Sequence, residues 1–256
     1  MSGRHPALLY DVLHALVVRE LHVRYKSSVL GILWAVLSPL GTVAILHLLF
    51  TRIVPLGIPH YASFVYAGLL PWTWFQSALF TSAGTLLDHR DLVRMPFFPR
   101  PLLPAAVTAS NFLLYLLAFP VLLALVAMEG VWPGETLLLL PAVWLVQAVF
   151  TMALATLVAA LGALVRDVQH LLGVVLVLWF YLTPIFYGID RVQSSEARWL
   201  LLNPMAILVQ AHRAIALEGR SPDWGALGAC ALVSGGLLAA ALAVFRALEH
   251  LVIEEV

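Results

Sequence analysis

An all-α integral membrane protein is the predicted fold class, on the evidence of composition and of the length of the uncharged runs. Hydrophobic residues make up 62% of the chain and charged residues 11%, against about a quarter charged in an ordinary soluble domain. Mean hydropathy is +0.96. Runs of about 20 uncharged residues are long enough to cross a bilayer as helices, and only a helix satisfies the backbone of an isolated segment in lipid. The short alternating segments of a β-barrel are absent from the sequence. At 256 residues, several spans leave no room for a separate catalytic domain, so one transmembrane domain over residues 1–256 is expected.

Residues 1–26 read as a cytoplasmic interface helix. They carry Arg4, Asp11, Arg19, Glu20, Arg24 and Lys26 without a continuous apolar core, unlike a cleavable signal, so this segment is expected to persist in the mature protein. Leu9, Val12, Leu13, Leu16, Val17 and Val23 fall on one helical arc, with Asp11, Arg19, His22 and Lys26 opposite. Such a helix lies along the bilayer. Glu20 and Arg24 interrupt the apolar arc at i, i+4, in the favourable order for an ion pair. Two readings fit them: a solvated pair of small energetic weight, or a polar contact at a protein interface.

Residues 27–189 hold five spans: Ser27 to Thr51, Tyr61 to Leu87, Leu102 to Met128, Thr136 to Val165 and Val168 to Gly188. A sixth, Trp224 to Phe245, opens the final segment, residues 224–256. Six spans place both termini on one side. Basic residues favour the cytoplasmic side of short loops, and with both termini inside that side holds Arg4, Arg19, Arg24, Lys26, Arg90, Arg94, Arg100, Arg166 and Arg246. The two short external connections hold only Arg52. Arg191, Arg198, Arg213 and Arg220 run against the rule, accompanied by Asp190, Glu196, Glu218 and Asp223.

Residues 190–223 are too long and apolar for a simple loop and read as two short external helices. The first follows Ser194 and Ser195 and runs through Trp199. Asn203 caps the second, Pro204 begins it, Met205 follows, and Gly219 ends it. These helices either seal the bundle or line an exit. Between the second and third spans, Asp88-His89-Arg90-Asp91-Leu92-Val93-Arg94-Met95-Pro96 reads as a short helix with acid early and base late. It is either a topological anchor or a projection into the cytoplasm. Arg166-Asp167 marks the cytoplasmic turn between spans four and five.

Catalytic patterns are missing from the sequence. There is no His-Glu-x-x-His, and no two of the nine histidines lie three or four residues apart, which argues against a helical metal site. Neither Gly-x-Ser-x-Gly nor a phosphate-binding Gly-x-x-x-x-Gly-Lys loop occurs, and Lys26 is the only lysine. The lone cysteine, Cys230, excludes an intrachain disulfide. Fourteen basic and fourteen acidic residues cancel, leaving no general attraction to nucleic acid. The buried polar candidates are His47, Gln76, Asn111 and Gln147, too few ionisable groups for an ion-coupled carrier. Aromatic residues are plentiful, and they serve either as membrane-interface anchors or as stacking faces along a path.

The junction Arg24-Tyr25-Lys26-Ser27-Ser28-Val29-Leu30-Gly31-Ile32-Leu33-Trp34, with Pro39, resembles the opening motif of ABC transporter permeases that export polysaccharides such as O-antigen, capsule or teichoic acid. Gly68-Leu69-Leu70-Pro71-Trp72 with Trp74-Phe75, Arg166-Asp167, Thr183-Pro184-Ile185-Phe186-Tyr187 and Asn203-Pro204-Met205 follow in the family's order. The resemblance implies a six-span subunit of the cytoplasmic membrane, both termini cytoplasmic, that pairs with a second copy and two cytoplasmic ATP-binding subunits. No cofactor is implied in this chain; ATP and Mg belong to the partner. Asp88 to Pro96 is similar to the coupling helix. Glu20, Arg24 and Tyr25 lie on the interface helix. Trp34, Trp72, Trp74, Phe75, Phe180 and Tyr181 would line a channel for a lipid-linked polysaccharide, and Trp199, Asn203, Pro204 and Met205 fall on the gate helices. Two alternatives remain: a lipid or drug exporter permease, and a membrane-embedded lipid-modifying enzyme. The first usually has a larger external domain between its first two spans. The second requires clusters of acids or histidines that the sequence lacks.

Overall fold

A computed structural model of the chain describes residues 4–26, 28–189, 199–200 and 202–255. Secondary structure among the described residues is entirely helical: α1 Arg4–Tyr25, α2 Trp34–Leu48, α3 Tyr61–Asp88, α4 Arg90–Val93, α5 Leu102–Met128, α6 Leu140–Leu164, α7 Val168–Leu182, α8 Pro204–Ala216 and α9 Trp224–Glu255. A tight 3-10 turn at Gly31–Leu33 leads into α2, and a wider π turn at Leu49–Ile53 extends it. The elbow between α1 and α2 needs its glycine. Gly31 sits at φ +50, a left-handed conformation that side chains with a Cβ disfavour, and its amide donates to the Ser28 hydroxyl at 3.1 Å.

The central helix is α3, which packs against α2, α5, α6, α7 and α8. Val65, Tyr66, Trp72, Phe75 and Ala78 are all sealed from solvent. A helix buried all round needs small residues where its neighbours approach, and Gly162 on α6 provides one. A Cβ there would stand 2.0 Å from the Ala83 carbonyl oxygen of α3, so the two backbones touch. Pro71 lies inside α3, and Gln147 of α6 donates to its carbonyl at 2.7 Å, filling buried polar capacity at the proline. On the far side of α6, α9 packs along its length.

Two apolar clusters divide the molecule. The larger gathers Tyr66, Trp72, Phe75, Phe150 and Ile185 with Met205, Leu208 and Ile215 of α8. The smaller gathers Leu16 and Val17 of α1, Leu86 of α3, Val93 of α4, Leu103 of α5 and Phe245 and Val252 of α9. Helix ends thus sort into an α1 end and an α8 end.

Four helical stretches among the described residues are long and apolar enough to cross a membrane: Gly31–Ile53, Leu102–Met128, Gly134–Leu164 and Trp224–Glu255. The expectation of six full spans meets two departures. α3 has 28 residues but carries Ser63, Thr73, Gln76, Ser77, Thr81 and Thr85. α7 has only 15 residues, short of the roughly 20 that a bilayer core requires. Span five, expected to reach Gly188, stops at Leu182 because Pro184 denies the helix a donor and disfavours helical backbone before it. The sixth helix runs on past Phe245 to Glu255, which brings Arg246 and Glu249 into regular structure.

Candidate functional site

At the α1 end, the expected Glu20–Arg24 pair is not formed; both residues continue the buried stripe begun by Leu16 and Val17, and each finds a different partner. Glu20 Oε1 lies 3.4 Å from Nε2 of His89, whose Nδ1 is 2.9 Å from the Thr85 carbonyl. Arg24 reaches the interior. It donates to Oδ1 of Asn111 on α5 at 2.8 Å and to the Thr81 hydroxyl of α3 at 2.7 Å. Asn111 donates to the Val107 carbonyl at 2.8 Å, which holds its amide oxygen toward Arg24. Beside it, burial pushes the Tyr25 phenol up, against the opposing charge of Arg24. The predicted apolar arc is corrected at its edges: Val23 and Leu9 are exposed.

His89 lies in the segment expected to form a helix over Asp88 to Pro96. The helix is shorter than expected. Asp88 completes α3, and α4 is one turn, Arg90–Val93. Val93 is fully buried and anchors the turn in the smaller cluster, with Leu92 packed beside it. Arg90, Asp91, Arg94, Met95 and Pro96 are exposed, as is Phe97, held at φ 63. Arg100 ties the segment down by donating to the Val93 carbonyl at 2.9 Å and pairing with Glu249 of α9. Arg166 and Asp167 are exposed at the turn before α7, and no ion pair joins them. A cavity of about 230 Å³ opens where α1, α2, α3 and α5 meet, between Arg24 and Trp34 on one side and Asn111 and Tyr115 on the other.

At the α8 end, Asn203 accepts from the Met205 amide at 3.0 Å and so caps α8, with Pro204 in its first turn. The same side chain accepts from the Trp179 indole at 2.9 Å and donates to the Thr183 hydroxyl at 3.0 Å. Gly219, at φ +59, follows the helix as expected. The expected first external helix lies largely outside the described residues; Trp199 and Leu200 are helical, with Trp199 exposed.

Arg213, on the buried face of α8, has no carboxylate partner among the described residues. Its Nε donates to the Phe64 carbonyl at 3.1 Å, Nη1 to the Pro184 carbonyl at 2.6 Å and Nη2 to the Ile185 carbonyl. The guanidinium carbon stands 3.6 Å above the Phe64 ring centroid, a cation–π placement. Burial lowers this arginine to about 9, with Glu218 opposing, so it keeps its charge at neutral pH. Gly68 makes the room: a Cβ there would sit 2.8 Å from Nη2. Hence three of the sequence motifs, around Gly68, Thr183 and Asn203, meet at this end. Sequence reasoning passed over Arg213 as a positive charge on the wrong side; the signal was that a cation on an otherwise apolar helical face must find acceptors.

Among the expected channel aromatics the structure separates two groups. Trp34 and Tyr181 are 50% and 61% exposed, and Phe180 is partly so. Trp72, Trp74 and Phe75 are at most 2% exposed. Their rings pack within the protomer, Trp72 edge-on to Phe180, Trp74 tilted against Phe112 and Phe75 stacked on Phe150, and the Trp74 indole donates to the Thr108 carbonyl at 3.1 Å. These three belong to the packing of α3 in this conformation. Of the polar candidates, Asn111 and Gln147 are buried and bonded as described, Gln76 accepts from the Trp72 indole at 2.7 Å, and His47 is exposed. Among the described residues, no group of three or more histidine, cysteine, aspartate or glutamate side chains could hold a metal ion.

Residues 11–217 match the family described as ABC-2 type transporter. The chain is 40% identical to the O-antigen export system permease protein RfbA of Myxococcus xanthus, over 92% of this chain and 91% of that one. With the protein of the same name from Klebsiella pneumoniae it shares 29% identity over 82% of each. The polysialic acid transport protein KpsM of Escherichia coli is 25% identical over 92% of this chain and 93% of its own length. The resemblance carried by the five motifs is therefore borne out, and the chain belongs to the ABC-2 type transporter family as a multi-pass membrane permease component, whose ATPase is a separate subunit.

Proposed function

We propose that this protein is the permease of an ATP-driven exporter that moves a lipid-linked polysaccharide of the O-antigen type across the cytoplasmic membrane. The observation that carries this reading is the 40% identity to an O-antigen export permease across nine-tenths of both chains. Two copies form the channel, and a cytoplasmic ATP-binding subunit docks under each. The α1 end is cytoplasmic, with both termini there. α2, α3, α5, α6, α7 and α9 are the six membrane passages, the short α7 being completed by the irregular stretch from Thr183 to Tyr187.

Coupling runs through Asp88 to Pro96. In support, Asp91, Arg94, Met95, Pro96 and Phe97 point outward while Val93 and His89 bind the same turn to α1, α3 and α9. A push on the exposed residues moves these rigid helices together. Arg166 and Asp167 extend that cytoplasmic surface. Trp34, Phe180 and Tyr181 face the passage between copies, supported by the exposed apolar sides of α2 and α7. Trp199 and the Asn203-Pro204-Met205 turn form the outer gate.

The test is to purify the full-length protein in mild detergent and assay what accompanies it for ATP hydrolysis, alongside a variant carrying Asp91→Arg and Arg94→Asp. A stoichiometric ATP-binding partner is expected, with export reduced at least about tenfold in the variant. A chain that binds no such partner overturns the permease reading. Unchanged turnover and export in the variant overturn the coupling role.

A further inference from the structure

The cavity at the elbow between α1 and α2 assigns a ligand to this chain. Arg24, Tyr25, Ser77 and Asn111 line it together with Trp34 and Ser38 of α2 and the apolar Leu70, Leu114 and Ala118. At about 230 Å³ it is large enough for a small polar headgroup. Thr81 stands seven residues before the end of α3, and Asn111 nine residues into α5. At 1.5 Å per residue, Arg24 therefore works on the order of 10 Å inside the α1 end of the bundle.

The electrostatics of this position are incomplete. A cation brought among packed helices is costly unless its charge is met, yet the side-chain acceptors bonded to Arg24 are a neutral amide oxygen and a neutral hydroxyl. No carboxylate pairs with it among the described residues, and none lines the cavity. Those two bonds aim the guanidinium without neutralising it, and they use two of its five N–H donors. Planar, directed and uncompensated, such a group suits the oxygens of a phosphate. The hydroxyls of Tyr25, Ser38 and Ser77 add donors around the same space, while the Thr73 hydroxyl is spent on the Leu70 carbonyl at 2.8 Å, and Trp34 and Trp74 border it. A lining that combines one fixed cation with apolar Leu70, Leu114 and Ala118 fits an amphiphile with an anionic head.

We propose that the elbow cavity binds the phosphate-bearing headgroup of a membrane lipid, with Arg24 as the anion contact and Asn111 and Thr81 as the positioning residues that hold it. The assignment rests on the permease reading for its biological meaning, since the phosphate belongs either to a lipid-linked substrate or to a resident phospholipid. Its chemistry stands apart from that reading.

The experiment is equilibrium binding to the purified full-length protein with its partner subunits, followed by quenching of tryptophan fluorescence and by native mass spectrometry. The probes are hexadecyl phosphate, hexadecanol, inorganic phosphate and vesicles of phosphatidylglycerol. Hexadecyl phosphate is expected to bind at least about tenfold more tightly than hexadecanol, and Arg24→Gln to erase that difference while Arg24→Lys restores part of it. Because Arg24→Gln also removes two interhelical bonds, Ser38→Leu serves as a second variant: it fills the cavity from α2 without touching Asn111 or Thr81, and is expected to weaken hexadecyl phosphate binding as much. Competition by phosphatidylglycerol vesicles assigns the site to resident lipid; competition by inorganic phosphate alone assigns it to a free anion and overturns the headgroup. Equal binding of phosphate and alcohol, or retention in both variants, overturns the site. If the site fails while the Asp91 and Arg94 reversal still abolishes export, the permease reading stands. If the site holds while the protein supports no export, that reading falls alone.

Discussion

The α1 end and the α8 end of this bundle are held together by opposite means. At the α8 end a buried arginine is ligated by backbone carbonyls from α3 and from the break after α7, and an asparagine joins Trp179, Thr183 and the start of α8. At the α1 end the ties run between side chains, Glu20 to His89 and Arg100 to Glu249, over a small apolar cluster. Backbone carbonyls cannot change their charge, so the α8 end is a fixed clamp. Side-chain pairs hold only while both partners keep their charge and rotamer, and the Arg100–Glu249 pair reaches the surface through Glu249. On the function proposed above, the end that would receive motion from a docked subunit has the second kind of joint, and the end that would stay sealed has the first.

The largest effect should come from Arg213→Ala. Pro184 and Ile185 lie outside any helix, and losing the guanidinium leaves their carbonyls without this donor, at roughly 1–3 kcal/mol each, in addition to a void in the packing. A loss of about 4 kcal/mol is expected, seen as a collapse of the thermal unfolding temperature in detergent. A change no larger than that of an exposed arginine would break the contrast between the ends.

Next comes pH. His212 lies beside Arg213, and burial holds it down at about 4. A histidine lowered in the folded state contributes stability that is present above its unfolded value of 6.5 and is lost as pH falls toward the folded one. Roughly 2 kcal/mol should disappear between about pH 7 and pH 5. His212→Gln should flatten that part of the profile, and an unaltered profile would refute the assignment.

The smallest effect belongs to the α1 end. Glu249→Gln removes a partly exposed partner of Arg100, and such pairs are worth under about 1 kcal/mol. The unfolding temperature should hardly move, while added salt should weaken the wild-type contact by screening it. A loss as large as that from Arg213→Ala would show that both ends are clamps.

Most of the helices were legible because each is written locally. Apolar runs, Pro204 after Asn203, and Gly219 beyond the last turn of α8 are short-range signals, and the structure follows them. The short α7 was legible in part: Pro184 is a helix-breaking residue in plain sight, but the apolar run through Gly188 hid where the helix would stop. Glu20 and Arg24 were read as partners because i, i+4 spacing is what a sequence displays. The partners that won, Thr81 and Asn111 for Arg24, lie 57 and 87 residues along the chain, and His89, which meets Glu20, sits between α3 and α4. Trp72, Trp74 and Phe75 were assigned to a channel because an aromatic run carries no mark of which side faces neighbours.

What the sequence determined by itself is the class: a helical membrane permease component with no ATP-binding motif of its own, told by uncharged length and by five motifs in order. Tertiary structure alone decided which polar groups meet. Gly68 leaves space for Arg213, Gly162 lets α3 and α6 touch, and Arg24 crosses to α5, because helix packing sets distances between residues that the chain keeps far apart. Hydropathy is a property of one segment at a time, whereas the placement of a charge among acceptors is a property of several segments at once.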